Sequence, residues 1–397
     1  MNATPTHEIV VLGAGYTGMM ATVRLAHRTR RLPVHITLVN PSERFTERLR
    51  SHQIATGQEL ADLRIPEALA DTGVDFRRAW ATAIDTAAHR VTLDDGTELP
   101  YDTLIYALGS SADTDRVPGA TEHAWTMNTP QFARGFAGQL AALAEAGGTV
   151  TVVGAGLTGI EAATEIADSH PGVTVTMIGT GEPGAMMGPK ARAYLVRALD
   201  RFGINRRVGA QVVKVLPDAV ELDTGEILPS DLILWTAGVR APALAAAAGI
   251  DTDAQGAIVT DATLRSVSHP DVYAVGDAAS VRQPWGHIHG TCQSGMPIAA
   301  YVADTVARRL RGKEVKPFRF GYIHQPVSLG RKDGVIQFTR GDDTPGPWYL
   351  TGRAAVRYKE FVSSSPWPTF RLSRRISIPA KFSTGARAAA RAAKATA

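Results

Sequence analysis

Near the N-terminus the chain reads Glu8-Ile-Val-Val-Leu-Gly13-Ala-Gly15-Tyr-Thr-Gly18. The apolar run is typical of a buried strand in a parallel sheet, and the GxGxxG pattern after it is typical of a tight turn into a helix. A helix-like stretch over 19–27 and a second β-branched run over 35–40 come next. The order of strand, glycine turn, helix and strand predicts an α/β fold built on a parallel sheet.

The same order occurs a second time in the middle of the chain. The second copy reads Thr149-Val-Thr-Val-Val-Gly154-Ala-Gly156-Leu-Thr-Gly159, and a helix-like stretch over 160–167 and a strand-like run over 173–179 follow it. Each copy then leads into a predicted hairpin, over 91–102 or over 220–231. A single GxGxxG is a weak signal, but two copies in the same setting indicate a duplicated dinucleotide-binding fold.

The glycines of both copies suit the binding of a pyrophosphate at a helix N-terminus. In each copy the first glycine permits the tight turn, the second leaves room for the phosphates, and the third lets helix and strand pack closely. The glycines in these roles are Gly13, Gly15 and Gly18 in the first copy and Gly154, Gly156 and Gly159 in the second.

Features after each copy extend the repeat. Both hairpins run into an apolar strand that ends in a glycine, Gly109 in the first copy and Gly238 in the second. A further short strand, ending in Gly276-Asp277, follows the second copy. We therefore predict two Rossmann-like dinucleotide-binding domains, the second inserted in the first, and a small C-terminal α+β region.

The residue that ends the second strand of each copy bears on the nucleotide. An acidic residue at this position binds an unphosphorylated ribose, whereas a neutral one tolerates a 2′-phosphate. The first copy has Asn40, whose amide can still bond ribose hydroxyls, and the second has Gly179. Lys190 and Arg192 are either phosphate partners or ordinary solvated helix charges, so the second site suits NADPH at least as well as NADH.

Composition excludes several classes of protein. The chain has a net charge of +4, and residues 361–397 hold seven Lys or Arg and no Asp or Glu, so the charge lies in the tail and no nucleic-acid partner is expected. Cys292 is the only cysteine, which excludes internal disulfides, a CxxC redox pair and cysteine-based zinc sites. We expect no metal site, no secretory signal and no transmembrane helix, since no apolar run approaches about 18 residues.

Together these motifs resemble the FAD/NAD(P) pyridine nucleotide-disulfide oxidoreductases and, among them, the type II NADH dehydrogenases. Further matching stretches are 53–57 with its Gly57, 235–240 and 272–277. The resemblance implies FAD in the first domain, formed by 1–118 and 251–320, and NAD(P)H in the second, 119–250. Residues 321–375 would form the C-terminal region and 376–397 a basic tail.

The resemblance also implies roles for single residues. Asn40 would contact the FAD adenosine ribose, Asp277 the ribitol and pyrophosphate, and Gly109 would close the strand on the FAD side. Gly276 and Met296 belong to the same cofactor-binding set, Gly238 would flank the incoming nucleotide, and Glu161 would lie near the nicotinamide as a catalytic residue. A carboxylate on the surface of the helix is the other reading of Glu161.

The chain departs from the disulfide-reducing members and from the quinone-reducing ones. Residues 45–53 contain no cysteine where the former carry a redox pair, and His52 there either faces the flavin or has a structural role. At 291–297 type II NADH dehydrogenases carry paired glutamines near the quinone, whereas here Met296-Pro297 replaces the polar pair and Gln293 survives as a candidate catalytic residue. Pro297 suits the first turn of a helix whose dipole would stabilise reduced flavin.

Two histidines follow Asp277, and the sequence leaves two roles open for them. His287 and His289 are two residues apart, which would place both on one face of a strand. They could act as acid and base for a bound acceptor or form a structural pair.

The sequence therefore predicts an FAD-dependent oxidoreductase that transfers hydride from NAD(P)H to the flavin and on to a second acceptor, a quinone or an organic metabolite. A specialised flavin-dependent oxidase or dehydrogenase and a flavin-bound redox sensor stay open as alternatives. We expect a cytoplasmic location, at the inner membrane face if the basic tail contacts anionic lipid rather than being only solvated. The sequence does not predict an oligomeric state.

Overall fold

The first part of the chain contains the strands and helix that its glycine pattern predicts. The computed structural model describes residues 6–376 and Gly385. In chain order the elements up to residue 123 are β1 (His7–Leu12), α1 (Tyr16–Thr29), β2 (Val34–Val39), a 3₁₀ turn (Arg48–Arg50), α2 (Ser51–Ile54), α3 (Ile65–Leu69), β3 (Asp75–Arg77), β4 (Ala81–Asp85), β5 (Arg90–Leu93), β6 (Glu98–Pro100), β7 (Thr103–Tyr106), β8 (Ser111–Ala112) and α4 (Ala120–His123).

The middle of the chain repeats this order. Its elements are α5 (Pro130–Ala146), β9 (Thr149–Val153), α6 (Leu157–Ser169), β10 (Thr174–Gly179), α7 (Pro189–Arg201), β11 (Asn205–Val208), β12 (Val212–Leu216), β13 (Ala219–Leu222), β14 (Ile227–Pro229), β15 (Leu232–Trp235), β16 (Val239–Arg240) and α8 (Leu244–Ala247).

In the last part of the chain, the described residues combine short strands with three α-helices. Its elements are β17 (Ile258–Val259), β18 (Val272–Ala274), a 3₁₀ turn (Gly276–Ala278), β19 (Ala279–Ser280), β20 (Arg282–Gln283), β21 (Gly286–His287), α9 (Cys292–Arg309), β22 (His324–Ser328), β23 (Gly334–Thr339), β24 (Pro345–Thr351), α10 (Gly352–Ser364) and α11 (Pro366–Ser373).

Two parallel sheets of matching topology carry the repeat. The first has the order β3-β2-β1-β7-β18, and the second has the order β11-β10-β9-β15. β18 follows the second sheet in sequence but completes the first one, where it pairs with β7. The fold class is therefore confirmed: two Rossmann-like domains, with the second inserted in the first.

Both predicted hairpins are confirmed, and each lies in a three-stranded antiparallel sheet. These sheets have the orders β4-β5-β6 and β12-β13-β14. A further antiparallel pair, β8 with β16, joins the two halves, since Ser111 is paired with Arg240. The two halves are thus connected by backbone pairing as well as by packing.

The core of the first domain holds α1 between its sheet and α9. α1 and α9 pack along each other, and Arg24 on α1 is almost fully buried at 2% exposure. Its guanidinium donates from Nε and Nη2 to the two carboxylate oxygens of Asp304 on α9, at 2.9 and 2.7 Å. Charge neutralisation of this kind is needed because an unpaired charge in the core costs several kcal/mol, about 3–5 by typical measurements.

The C-terminal region is an antiparallel sheet, β22-β23-β24, covered by α10. The sequence predicted a small α+β region here without placing a helix in it, because the helical spacing of apolar residues over 354–362 was overlooked. α11 packs on α1. It also packs on Phe45 in the loop after β2, whose ring lies 5.6 Å from Trp367 and 5.5 Å from Phe370.

No helix within the described residues is long and apolar enough to cross a bilayer. The predicted basic tail lies outside the described residues, apart from 376 and 385, so its expected membrane contact has no structural account.

Candidate active site

The turn between β1 and α1 has the geometry of a phosphate cradle. Gly13 has φ +94°, and a Cβ on it would lie 2.6 Å from the carbonyl oxygen of Ala107. A Cβ on Gly18 would lie 1.8 Å from the Gly13 oxygen, whereas one on Gly15 would meet nothing within 4 Å. We call residues 13–18 the first cradle. Close packing requires glycine at positions 13 and 18, whereas a Cβ on Gly15 would point into free space.

The turn between β9 and α6 repeats this geometry as a second cradle, residues 154–159. Gly154 has φ +120°, and a Cβ on Gly159 would lie 1.9 Å from the Gly154 oxygen. A Cβ on Gly156 would again meet nothing within 4 Å. The two cradles therefore present the same open N-terminal turn, where backbone N–H groups and the helix dipole favour an anion.

The cradles differ at the residue that ends the second strand. In the first, Asn40 accepts a hydrogen bond from the Ala14 backbone N–H at 2.9 Å and donates to the Ser42 carbonyl at 2.7 Å. In the second, a Cβ on Gly179 would lie 2.5 Å from the Ala155 Cβ. The second cradle has no side chain at the position where the first has an amide.

Residues from later in the chain close the first cradle. Gly276 has φ +69°, and a Cβ on it would lie 2.8 Å from Thr17 Cγ2. Ser110 donates from its hydroxyl to Asp277 at 2.8 Å. Asp277 belongs to a 3₁₀ turn rather than to the strand that the sequence predicted, because β18 ends at Ala274. The structure thus brings Gly276 and Asp277 to the first cradle.

Two further glycines lie at equivalent turns of the two domains, one after β7 and the other after β15. Gly109 has φ +67°, and a Cβ there would lie 3.7 Å from Arg48 Nη1. Gly238 has φ +72° and accepts a hydrogen bond from the Asp113 backbone N–H at 3.3 Å. Both positions use the left-handed backbone conformation, which glycine adopts without strain.

The N-terminus of α9 also lies beside the first cradle. Thr291 caps it, and Ser294 returns a hydrogen bond in a capping box. The helix begins at Cys292, so Pro297 lies in its second turn and not in its first; this part of the prediction was wrong because the capping box starts the helix earlier. Burial, followed by the charge of Asp277, raises the pKa of the Cys292 thiol to about 12.

Met296 and Gln293 lie in the first two turns of α9. Met296 is half-buried against the apolar core of the first domain. Gln293 donates to the His324 carbonyl at 3.0 Å and accepts from the Ile323 backbone N–H at 2.6 Å. The amide of Gln293 therefore ties α9 to β22, and this contact orients the helix.

Glu161 is the centre of a polar cluster that sequence reasoning found only in part. Lys359 on α10 donates to Glu161 Oε1, and the Ser328 backbone N–H donates to the same oxygen at 3.0 Å. His52 Nδ1 lies 3.7 Å from the other oxygen, Oε2. Glu161 is mostly buried, so the reading as a surface carboxylate does not describe it.

Lys359 was missed because α10 was missed. Its ammonium is enclosed by Glu161, α10 and the loop before β23, and its side chain is 12% exposed. Burial, followed by the Arg50 charge, lowers the pKa of Lys359 to about 7. A lysine with this pKa can exchange a proton near neutral pH. The sequence does contain a signal for Lys359: apolar residues recur at helical spacing over 354–362, and Lys359 is the single lysine among them.

His52 is buried at 5% exposure on α2. Burial, followed by the charges of Lys359, Arg331 and Arg50, lowers the pKa of His52 well below its usual value, so the imidazole is neutral. Its Nε2 has no hydrogen-bond partner among the described residues.

The prediction that His287 and His289 lie on one face of a strand was wrong. β21 ends at His287, so His289 lies beyond the strand and does not share a face with it. His289 stacks on Tyr322 at 4.5 Å and lies 3.2 Å from an Asp343 oxygen. His287 is exposed. The two side chains therefore do not form a pair.

Both cradles pass a steric test for a bound dinucleotide, because the middle glycine of each leaves open space in front of a helix N-terminus. Among the described residues the buried hydroxyl of Tyr16, inside the first cradle, also has no hydrogen-bond partner. These features fit a dinucleotide in each cradle, and the Glu161 cluster supplies groups that can hold or move a proton.

Known proteins match over most of the chain. Residues 7–299 fit the family model described as pyridine nucleotide-disulphide oxidoreductase. An NADH dehydrogenase-like protein of Mycobacterium tuberculosis is 31% identical over 363 residues, which cover 84% of this chain and 88% of that protein. A demethylphylloquinone reductase of Synechocystis is 28% identical over 374 residues, covering 89% and 92% respectively.

The fold is also similar to that of solved structures. NDH2 of Plasmodium falciparum, solved in complex with NADH, superposes with a TM-score of 0.78 and covers 94% of this chain and 100% of that one. At 15% sequence identity this likeness concerns the fold alone.

Proposed function

Because the chain belongs to the pyridine nucleotide-disulphide oxidoreductase family, it is an FAD-dependent enzyme that oxidises NAD(P)H, and we propose that a quinone accepts the electrons. Cys292 is the only cysteine, so the flavin electrons have no redox disulfide within the chain to enter and pass directly to an external acceptor. A relative of 28% identity is named a demethylphylloquinone reductase, which supports the same choice.

We propose that the first cradle holds FAD and the second holds NAD(P)H. FAD, when bound, accepts a hydride and passes on two electrons. Asn40, Gly109, Gly276, Asp277 and Met296 would surround the flavin nucleotide, and Gly238 would flank the NAD(P)H. The positive end of α9 lies beside the first cradle and favours negative charge there.

The domain boundaries follow from the same assignment. Residues 1–118 with 251–320 would form the FAD-binding domain, 119–250 the NAD(P)-binding domain, and 321–375 the C-terminal region. The described part of the C-terminal region supplies Lys359, so it completes the site rather than only covering it.

Glu161 and Lys359 are the groups we assign to proton handling. A quinone takes up two protons with its two electrons, and a buried carboxylate in contact with a lysine can hold and release one of them. Gln293 is assigned a positioning role, because both ends of its amide bind the backbone of β22 and the residue before it.

The second cradle suits NADPH as well as NADH. Gly179 offers no carboxylate that would repel a 2′-phosphate. The nearest acid along the chain, Glu182, is paired with Arg192 at 3.2 Å. A 2′-phosphate would compete with Glu182 for Arg192, whereas Lys190 forms no ion pair within the described part of the chain.

We further propose a cytoplasmic enzyme that docks on the inner membrane face. Trp348 is 76% exposed and Phe361 is 72% exposed, both in the C-terminal region. Arg371, Arg374 and Arg375 follow on or just after α11, and basic residues near an anionic surface each contribute about 1 kcal/mol. Co-sedimentation with vesicles containing anionic lipid, lost in W348A/F361A, tests this point.

Anaerobic stopped-flow absorbance tests the acceptor. Purified protein is reduced with NADH or NADPH and then mixed with a water-soluble quinone, with oxidised glutathione, or with oxygen. We expect rapid flavin bleaching by nucleotide and rapid recovery with quinone alone. Recovery with oxygen alone would favour an oxidase, and slow recovery with every acceptor would favour a redox sensor; either result contradicts quinone reduction.

A further inference from the structure

A polar cavity that is partly open to solvent lies next to Glu161. Its volume is about 110 Å³, which is room for several water molecules. Ionisable side chains form much of its wall, and they come from α2 and the turn before it, from α6, from α10 and from the loop between β22 and β23. The ionisable residues in the wall are Arg50, His52, Glu165, Arg331, Asp333, Lys359 and Glu360.

His52, like Lys359, both lines this cavity and lies beside Glu161. One ring nitrogen, Nδ1, lies 3.7 Å from Glu161 Oε2. The other, Nε2, is buried without a partner among the described residues, and the side chain lines the cavity. A buried polar atom that lacks a partner is costly, so water in the cavity is the expected partner for Nε2.

The reaction needs a proton from solvent in every turnover. NAD(P)H delivers two electrons and one proton as a hydride, whereas a quinone takes up two electrons and two protons. The balance is NAD(P)H, one proton and quinone giving NAD(P)⁺ and quinol. The site around Glu161 is mostly buried, so this proton requires a path through the protein.

We propose, on the basis of the quinone reductase function above, that His52 relays this proton from the cavity to Glu161. A cavity water takes up a proton from solvent and gives one to Nε2, so that the water stays neutral. Nδ1 and Glu161 Oε2 close from 3.7 Å to hydrogen-bond distance, and the proton on Nδ1 passes to the carboxylate. No electron moves in this step, and rotation of the imidazole restores the starting state. The ring must be neutral before each transfer, and its setting among Lys359, Arg331 and Arg50 keeps it neutral.

His170 provides a matched control for this role. It ends α6, the helix that carries Glu161, and its Nδ1 is also buried without a hydrogen-bond partner among the described residues. It does not line the cavity. A replacement at 170 therefore removes a similar imidazole without touching the relay.

Half-reaction kinetics of His52→Gln and His170→Gln test the relay, because glutamine fills the space of the ring but cannot pass a proton. We expect H52Q to be reduced by NADH at the wild-type rate and to be reoxidised by a water-soluble quinone about tenfold or more slowly. H170Q should match the wild type in both steps. Added imidazole should restore part of the lost rate in H52A, which leaves space for it.

Nitrogen NMR of the histidines gives a second readout that does not depend on turnover. In oxidised holoenzyme we expect His52, assigned from its loss in H52Q, to stay neutral from about pH 6 to 8, with Nε2 unprotonated. If H52Q does not fold, H52N serves in its place.

The outcomes separate the relay from the function on which it rests. A wild type that quinone does not reoxidise contradicts the proposed function, and the relay with it. Equal slowing of both half-reactions in H52Q, no slowing of either, or a charged His52 contradicts the relay alone.

Discussion

The two cradles share a backbone turn and differ in what surrounds it. In both, the last glycine packs against the carbonyl of the first, with an added Cβ at 1.8 Å in the first cradle and 1.9 Å in the second. The first is closed further by Gly276, Asp277 and the start of α9, and it has Asn40 directly after its second strand. The second has Gly179 at the equivalent position.

The glycine turn by itself therefore provides only the phosphate site. The residues around it decide how long the dinucleotide stays and which ribose fits. A cradle closed by later parts of the chain suits a resident cofactor, whereas an open one suits a nucleotide that exchanges in every turnover.

Blocking each cradle in turn should have the largest effect. Gly18→Ala places a methyl group 1.8 Å from a carbonyl oxygen, so we expect a colourless protein whose free energy of unfolding falls by about 3 kcal/mol or more. Gly159→Ala should keep the flavin colour but lose bleaching by NAD(P)H. Visible spectra and urea unfolding measure both results.

Gly138→Ala is the control for these substitutions. Gly138 lies within α5, and an added Cβ would meet nothing within 4 Å, so alanine should be neutral or stabilise by up to about 1 kcal/mol. If the G18A protein retains its flavin colour, the assignment of FAD to the first cradle is contradicted.

The helices that follow the cradles carry equivalent buried charges of opposite sign. Arg24 and Glu165 each stand six residues after the last glycine. Arg24 is neutralised by Asp304, and Glu165 by Arg331, which is 44% exposed. We expect Asp304→Asn to cost about 3 kcal/mol and Glu165→Gln about 1 kcal/mol, since burial raises the pKa of Glu165 and an amide replaces it more easily.

Asp200→Asn is the matched surface control for this pair. Asp200 is 56% exposed and bonds Arg206 at 2.7 Å, so its loss should change the free energy of unfolding by less than about 0.5 kcal/mol. If D304N and E165Q lower the free energy of unfolding equally, the proposed asymmetry between the two helices is contradicted.

Nucleotide choice should respond to the ribose position of the second cradle. Gly179→Asp restores a carboxylate, so the ratio of kcat/KM for NADPH to that for NADH should fall about tenfold. Gly179→Ala adds the same Cβ without charge, and it should lower both values alike through the contact with Ala155. A ratio that falls equally in G179A would show a steric effect and not an electrostatic one.

The smallest expected effect concerns the edge of the first sheet. His35 on β2 bonds Glu8 on β1 at 2.7 Å and Asp75 on β3 at 3.1 Å, and the hydrogen bond with Glu8 is the main reason that its pKa is raised. A raised pKa stabilises the fold below about pH 6.5, and this contribution is lost as the pH rises through the folded value. β10 in the second sheet carries no titratable side chain.

Urea unfolding of wild type and His35→Gln measures this effect. The wild type should exceed H35Q by less than about 1 kcal/mol at pH 6, because His35 is 40% exposed, and the difference should shrink at pH 9. A difference that grows with pH would contradict the assigned sign.

Local patterns predicted the cradles, the hairpins and the inserted domain, because each depends on residues close in sequence. The Glu161–Lys359 contact joins residues 198 positions apart, and it forms only because α10 folds back towards α6 of the second Rossmann-like domain. The same fold-back encloses His52 and its cavity. Such contacts follow from tertiary packing, which periodicity and motif spacing do not encode.

The cradle assignment is tested most directly by passing the protein through a desalting column after incubation with NADH, and measuring flavin and nicotinamide in the protein fraction. We predict that about one flavin per chain stays with the protein and that the nicotinamide leaves, as expected for a resident and an exchanging dinucleotide. A protein fraction without flavin, or one that retains both dinucleotides equally, would contradict the account.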